Sequence, residues 1–188
     1  MTDAPRVALT FDAEHPDRPH HGDHAAWILD ELRRLEVRAT LFVQGRWAEA
    51  FPRLVRQMAD DGHLVGSHGF YHARMPLLTP DGFDEDLREA ERAIRDAGGV
   101  DPRPWLRFPF GAGADDAELI SRLPALGYRH VGWDVELYEW EAGRSASEVG
   151  ARAIAGVEAR GDGVDELDHP AGFSSIASPR PSVAAATT

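Results

Sequence analysis

The chain has 188 residues, 43% of them hydrophobic, which is enough for one domain with a buried core. Its formal net charge of −12 disfavours nucleic acid and anionic membranes as partners, because long-range repulsion opposes their approach. The absence of cysteine excludes disulfides, thiolate metal sites and cysteine nucleophiles.

Strand-like and helix-like segments alternate along the chain. Apolar runs predict strands at residues 6–11, 37–43, 63–66, 105–108 and 128–133. Apolar residues at helical spacing predict helices at residues 25–35, 47–61, 81–97, 115–126 and 145–160. Thr79 and Pro80 resemble an N-cap and a first-turn proline for the third helix. This β–α alternation implies a parallel sheet, either open or closed into a barrel.

The last part of the chain departs from this pattern. Residues 164–169 occupy the place of a sixth buried strand, yet three of the six are acidic, whereas buried parallel strands are usually apolar throughout. Residues 170–188 are rich in Ser, Ala, Pro and Thr, which predicts a disordered tail. We interpret the change after about Gly163 as an altered reading frame, and we take residues 1–169 as one domain.

Two carboxylates, Asp12 and Glu14, follow the first predicted strand. Residues i and i+2 of an extended chain point the same way, so both side chains can face one site. One would then hold a metal ion while the other acts as a base. The alternative is a turn or helix-cap role for Asp12 and a solvated Glu14.

His68 and His72 follow the third predicted strand, at a spacing that allows both to bind one metal ion. A His-x-x-x-His pair arises easily by chance among nine histidines, but its place at a strand end strengthens the prediction of a metal site. The remaining N-terminal histidines lie in an acidic loop, where we interpret them as solvated or as an adventitious metal patch: His15, His20, His21 and His24.

Arg107 and Phe110 lie at the end of the fourth predicted strand. A buried Arg107 would pair with Asp12 and keep it ionised. The backbone N–H of Phe110 would donate to an oxyanion. The alternative is a surface arginine at the passage from core to loop.

The segment from Trp133 to Trp140 mixes aromatic and acidic residues. Its aromatic side chains would either line a sugar-binding groove or belong to the core. His169, after the last strand-like segment, is a candidate general acid.

Taken in order, these segments resemble the polysaccharide deacetylases of carbohydrate esterase family 4, which contain the NodB-homology domain. The resemblance covers roughly residues 7–140 and extends to the stretches around Gln44 and Gly62. It implies an α/β fold of the distorted (β/α)-barrel type, here incomplete at the C-terminal end. It also implies removal of N- or O-acetyl groups from sugars with a divalent metal, commonly zinc, with cobalt, manganese or nickel as other candidates.

The resemblance assigns a role to each candidate residue. Asp12 corresponds to the catalytic base, Arg107 to its partner and His169 to the general acid. Phe110 corresponds to the oxyanion position and Trp140 to the groove tryptophan. Trp133, from the same aromatic and acidic segment, is a further candidate for substrate binding. The metal ligands would be Glu14, His68 and His72.

This sequence also departs from the family pattern. The first motif usually has a second aspartate on the metal, where this chain has Ala13, so Glu14 is the nearest substitute. Two alternatives therefore stay open. The protein would either hydrolyse another non-peptide C–N bond or be an inactive, carbohydrate-binding remnant. The expected partner is a carbohydrate. With no signal-peptide pattern and no transmembrane run, we expect a cytoplasmic protein, although family members are often secreted.

Overall fold

A computed structural model describes residues 7–18, 21–138 and 143–160 of the chain. The chain divides into two compact units, Ala8–Trp133 in one and Met1–Val7 with Asp134–Thr188 in the other. The candidate residues Trp140 and His169, the predicted sixth strand and the predicted tail all lie outside the described residues.

The larger unit is built on a parallel sheet of five strands that follow one another in chain order. The strands are β1 (Thr10–Ala13), β2 (Thr40–Val43), β3 (Leu64–Ser67), β4 (Trp105–Leu106) and β5 (Arg129–His130). This confirms the predicted parallel α/β architecture. Strand β3 has its predicted length but begins one residue later, and the other four strands are shorter than predicted, with only two residues each in β4 and β5.

Helices lie between the strands, as the apolar periodicity predicts. They are α1 (His21–Arg34), α2 (Gly45–Ala50), α3 (Pro52–Asp60), α4 (Pro80–Gly98) and α5 (Ala117–Arg122). A further helix, α6 (Ala146–Arg160), follows β5 and belongs to the smaller unit. The prediction of one helix over residues 47–61 is wrong. Pro52 cannot donate a backbone hydrogen bond, and Phe51 leaves helical geometry (φ −127°, ψ 53°), so two helices form.

Helix α4 begins where its sequence predicts. The Thr79 side chain accepts a hydrogen bond from the backbone N–H of Gly82 at 3.1 Å, and Pro80 occupies the first turn. The helix ends at Gly98 and is capped by Gly99, whose left-handed conformation (φ 71°) suits a glycine. The ends of this long helix are thus fixed by local sequence.

The hydrophobic core of the larger unit lies between the sheet and the helices. One buried cluster joins Val43 and Val65 of the sheet to Trp47, Met58 and Ile94 of the helices. A second surrounds Leu106 and Phe108. The described helices include none with the length and apolar character that a membrane span requires.

In the smaller unit the described residues form α6 and the segment before it. Ser145 and Glu148 make a capping box: the Glu148 carboxylate accepts from the Ser145 backbone N–H at 2.8 Å, and the Ser145 hydroxyl accepts from the Glu148 N–H at 3.3 Å. Arg152 donates to the carbonyl of Glu136 at 3.1 Å and stacks on Tyr138, which ties the helix to residues 134–138.

Candidate active site

Polar side chains gather where the parallel strands end. Asp12 lies near the end of β1, and Glu14 is the first residue after that strand. His68 comes directly after β3 and Arg107 directly after β4. Because the carboxyl ends of parallel strands meet at one edge of the sheet, these residues lie close together although they are far apart in the sequence.

Glu14, His68 and His72 form a compact group whose candidate ligand atoms lie within 4.8 Å of one another. Oε2 of Glu14 is 3.3 Å from Nε2 of His68 and 2.5 Å from Nε2 of His72. Two imidazoles and one carboxylate are a common ligand set for zinc in hydrolases, which keep further positions open for water and substrate.

The electrostatics of this group favour an ionised Glu14. Burial by itself would raise the pKa of the Glu14 carboxyl, but its hydrogen bonds and charge interactions with His68 and His72 outweigh burial and hold the pKa well below its usual range. Glu14 is therefore a carboxylate at neutral pH, which is the form that binds a cation.

The two imidazoles present their Nε2 atoms to the same point. Nδ1 of His68 lies 2.9 Å from the backbone carbonyl oxygen of Arg107, which can only accept, so Nδ1 carries a proton and Nε2 is the ring nitrogen that faces Oε2 of Glu14. Nε2 of His72 is buried and faces Oε2 of Glu14 at 2.5 Å. These donors fit a divalent metal ion.

Asp12 lies beside this group and is held by Arg107. Nη1 of Arg107 donates to Oδ1 of Asp12 at 2.8 Å, and the other oxygen, Oδ2, lies 3.9 Å from Nε2 of His68. Asp12 thus has one oxygen occupied by the arginine and one facing the histidines. Ala13, between the two acids, points into the core instead, as strand alternation requires.

Arg107 is itself fixed on every side. It is 3% exposed, and its guanidinium lies over the ring of Phe42 at 4.2 Å. It also donates to the hydroxyl of Thr10 at 2.9 Å, and to the carbonyls of Gly132 at 2.9 Å and Val131 at 3.3 Å. Burial lowers the pKa of the guanidinium and the charge of Asp12 opposes this. The alternative of a surface arginine is wrong.

Two aromatic residues border the site. Phe110 is 53% exposed, has a left-handed backbone (φ 60°) and packs its ring edge-on against His72 at 4.5 Å between centroids. Trp133 is 39% exposed and lies 5.5 Å from the Arg107 guanidinium. Both rings therefore offer apolar surface to a ligand beside the polar group.

Two residues in the site were not recognised in the sequence. His15, which we interpreted as solvated or as part of an adventitious metal patch, places Nε2 3.3 Å from Oε1 of Glu14 and its ring 4.6 Å from that of His72. Gln44, buried behind it, accepts a hydrogen bond from the His15 backbone N–H at 2.9 Å. The only sequence signal for His15 is its position next to Glu14.

Comparisons with known proteins identify the relatives of this chain. Residues 1–131 match the family described as polysaccharide deacetylase. The chain is 27% identical over 135 residues to the peptidoglycan-N-acetylmuramic acid deacetylase PdaA of Bacillus subtilis (strain 168), covering 72% of this chain and 49% of that protein. It is 34% identical over 139 residues to a chitooligosaccharide deacetylase of Sinorhizobium fredii (strain NBRC 101917 / NGR234), covering 74% and 61%. The chain spans about half the length of PdaA and of other curated relatives that it matches.

Solved structures share the fold. A deacetylase designated T48, solved with substrate, superposes with a TM-score of 0.68 at 32% identity, covering 80% of this chain and 69% of that one. A wild-type family 4 carbohydrate esterase pseudoenzyme from Bacillus anthracis has the same fold, with a TM-score of 0.71 at 22% identity, covering 82% and 52%. The expected fold type, the distorted barrel of these deacetylases, is confirmed. On the match of residues 1–131, the chain belongs to the polysaccharide deacetylase family.

Proposed function

We propose that this protein is a metal-dependent hydrolase that removes acetyl groups from N-acetylated sugars. The observation that carries the proposal is the pairing of two groups at one sheet edge: Asp12 held by Arg107, and the donor set of Glu14, His68 and His72. The family supports a deacetylase. The relatives named above act on peptidoglycan and chitooligosaccharides, which supports an N-acetylated sugar as substrate.

Glu14, His68 and His72 would hold the metal, and zinc suits their two nitrogens and one oxygen. When bound there, a divalent ion would supply Lewis-acid polarisation of the acetyl carbonyl and a water of lowered pKa. Glu14 takes over as carboxylate ligand from the aspartate that Ala13 replaces. Its position two residues after Asp12 supports this, because both acids face the site while Ala13 faces the core.

Asp12 would act as the general base. Its hydrogen bond to Arg107 holds Oδ1 and leaves Oδ2 on the side of the histidines, where it can take a proton from the attacking water. Arg107 would hold this carboxylate in place. His169 would protonate the departing amine as general acid.

The aromatic residues would bind the sugar. Phe110 would donate its backbone N–H to the oxyanion that forms on the acetyl group, and its exposed ring lies against His72. Trp133 and Trp140 would stack on sugar rings and so orient the acetamide towards Asp12.

The test measures zinc content and acetate release on the same preparation. We expect about one zinc per chain after loading, acetate release from chitin oligosaccharides or peptidoglycan, and loss of both in His68→Ala. Asp12→Asn should retain zinc but lose acetate release, because it removes the base and not a ligand.

Three results would change the proposal. Failure to bind any divalent metal would overturn it. Zinc binding with hydrolysis of small or cyclic amides, and none of acetylated sugars, would assign another C–N bond as the substrate. Zinc binding with neither activity would identify an inactive carbohydrate-binding member of the family.

A further inference from the structure

The loop of residues 68–72 carries both histidines of the proposed metal site and has an unusual backbone. Gly69 (φ 69°) and His72 (φ 58°) both adopt the left-handed conformation, which a histidine seldom takes. On one side the loop is held by the start of α2: the carbonyls of Gly69 and Phe70 accept from the N–H groups of Gly45 at 2.8 Å and Arg46 at 3.3 Å. The loop's N–H groups need partners as well.

Asp86 of α4 supplies those partners. Its Oδ2 accepts from the backbone N–H of Phe70 at 2.8 Å, and its Oδ1 accepts from that of Tyr71 at 3.1 Å. Each carboxylate oxygen therefore binds one of two consecutive N–H groups that lie between His68 and His72. The residue is 4% exposed, so water cannot easily replace these contacts.

The carboxylate also packs directly against the loop. A Cβ atom at position 69 would lie 2.7 Å from Oδ2 of Asp86 and 2.9 Å from Cε of Met75. Such contacts are too close, so Gly69 is required both for its backbone conformation and for the approach of Asp86. The loop and α4 are thus fitted to each other through this one acid.

Asp86 is a charged residue on the buried, apolar face of α4. It lies on the face of α4 that buries Phe83, Leu87 and Ala90, where an apolar side chain would be expected. An apolar residue there would remove the acceptors of the Phe70 and Tyr71 N–H groups, and the Phe70 N–H would then be buried without a partner. An asparagine would offer one acceptor oxygen, and its NH₂ group would face the second N–H.

We propose that Asp86 is a positioning residue, which fixes the loop so that His72 reaches the same metal ion as His68. The inference rests on the proposed metal site. Asp86 touches neither metal nor substrate: it acts through the backbone of Phe70 and Tyr71, as the partners of metal ligands commonly do.

The experiment compares zinc affinity in the wild type, Asp86→Asn and Glu85→Gln, by competition with a chromophoric chelator. Glu85 is the control because it is an exposed acid on the same helix. We expect zinc binding about 10- to 100-fold weaker in Asp86→Asn, and unchanged in Glu85→Gln. The visible spectrum of the cobalt-loaded Asp86→Asn protein should also change, because the histidine geometry relaxes.

A purely structural role would give a different result. If Asp86→Asn is less stable but its folded form binds zinc as the wild type does, with the same cobalt spectrum, the inference is overturned. If the wild type binds no metal, the proposed function fails and the inference with it.

A measurement on the wild type covers the case in which Asp86→Asn does not fold. We expect the amide protons of Phe70 and Tyr71 to exchange slowly in the metal-free protein, because Asp86 already holds them. Fast exchange of both amides without metal would overturn the inference, since the loop would then be organised by the ion alone.

Discussion

Nδ1 of His68 lies 2.9 Å from the backbone carbonyl of Arg107, whose side chain in turn binds Asp12 at 2.8 Å. Arg107, directly after β4, thus orients the proposed metal ligand His68 through its backbone and the proposed base Asp12 through its side chain. Arg107 therefore connects the proposed metal site to the proposed base, and a change at Arg107 should affect both.

Replacing Arg107 with methionine should lower the free energy of unfolding by about 3 kcal/mol. The change leaves Asp12 without its cation, and the carbonyls of Val131 and Gly132 without a donor. Urea denaturation measures the effect, with Arg53→Met as control, because Arg53 is exposed on α3. A loss below about 1 kcal/mol would contradict the prediction.

Glu14→Gln should weaken zinc binding by more than about 100-fold, because the amide removes the negative charge that His68 and His72 hold between them. Isothermal titration calorimetry measures the affinity. Asp17→Asn is the control, since this exposed acid lies in the same loop. Equal zinc affinity in Glu14→Gln and wild type would return the ligand role to Asp12 or to water.

Thr79→Ala should lower the free energy of unfolding by about 1 kcal/mol, because the side chain caps the first turn of α4. Helix α4 also carries Asp86. Ser121→Ala is the comparison: that exposed hydroxyl donates within its helix and caps nothing, so we expect a change within about 0.5 kcal/mol. Thermal or urea unfolding distinguishes the two, and equal losses would argue against the cap.

The sequence predicts the fold well because its signals are local. Apolar runs give the strands, helical periodicity gives the helices, and Thr79 with Pro80 marks a helix start. The proximity of Asp12, His68 and Arg107 also follows, since residues at the carboxyl ends of parallel strands share an edge. The metal and catalytic roles of these residues stay predictions. The break at Pro52 could have been read from the proline itself.

The parts of the site that the sequence does not predict depend on distant contacts. His15 meets Glu14 because its backbone turns left-handed (φ 53°) and its N–H binds Gln44, 29 positions away. Asp86 reaches the N–H groups of Phe70 and Tyr71 from another helix. A charged residue on an apolar helix face was the available signal for Asp86, but its partner could not be inferred before the loop was placed.

His130 should make stability depend on pH. Burial, and next the charge of Arg107, lower its pKa from 6.5 to about 4, and its Nε2 has no hydrogen-bond partner within the described chain. The unfolded chain therefore binds a proton more readily than the folded one, so stability is retained above about pH 6.5 and falls as pH drops to about 4. We expect a loss of about 2 kcal/mol, less than the full shift would give, because solvent reaches part of the ring. His130→Leu, which cannot take up a proton, should lack this part of the decline. The difference between the urea stabilities of the two proteins, measured from pH 7 to pH 4, isolates it, because every other titrating group is common to both. Parallel curves would show that His130 is protonated as readily in the folded protein as in the unfolded chain.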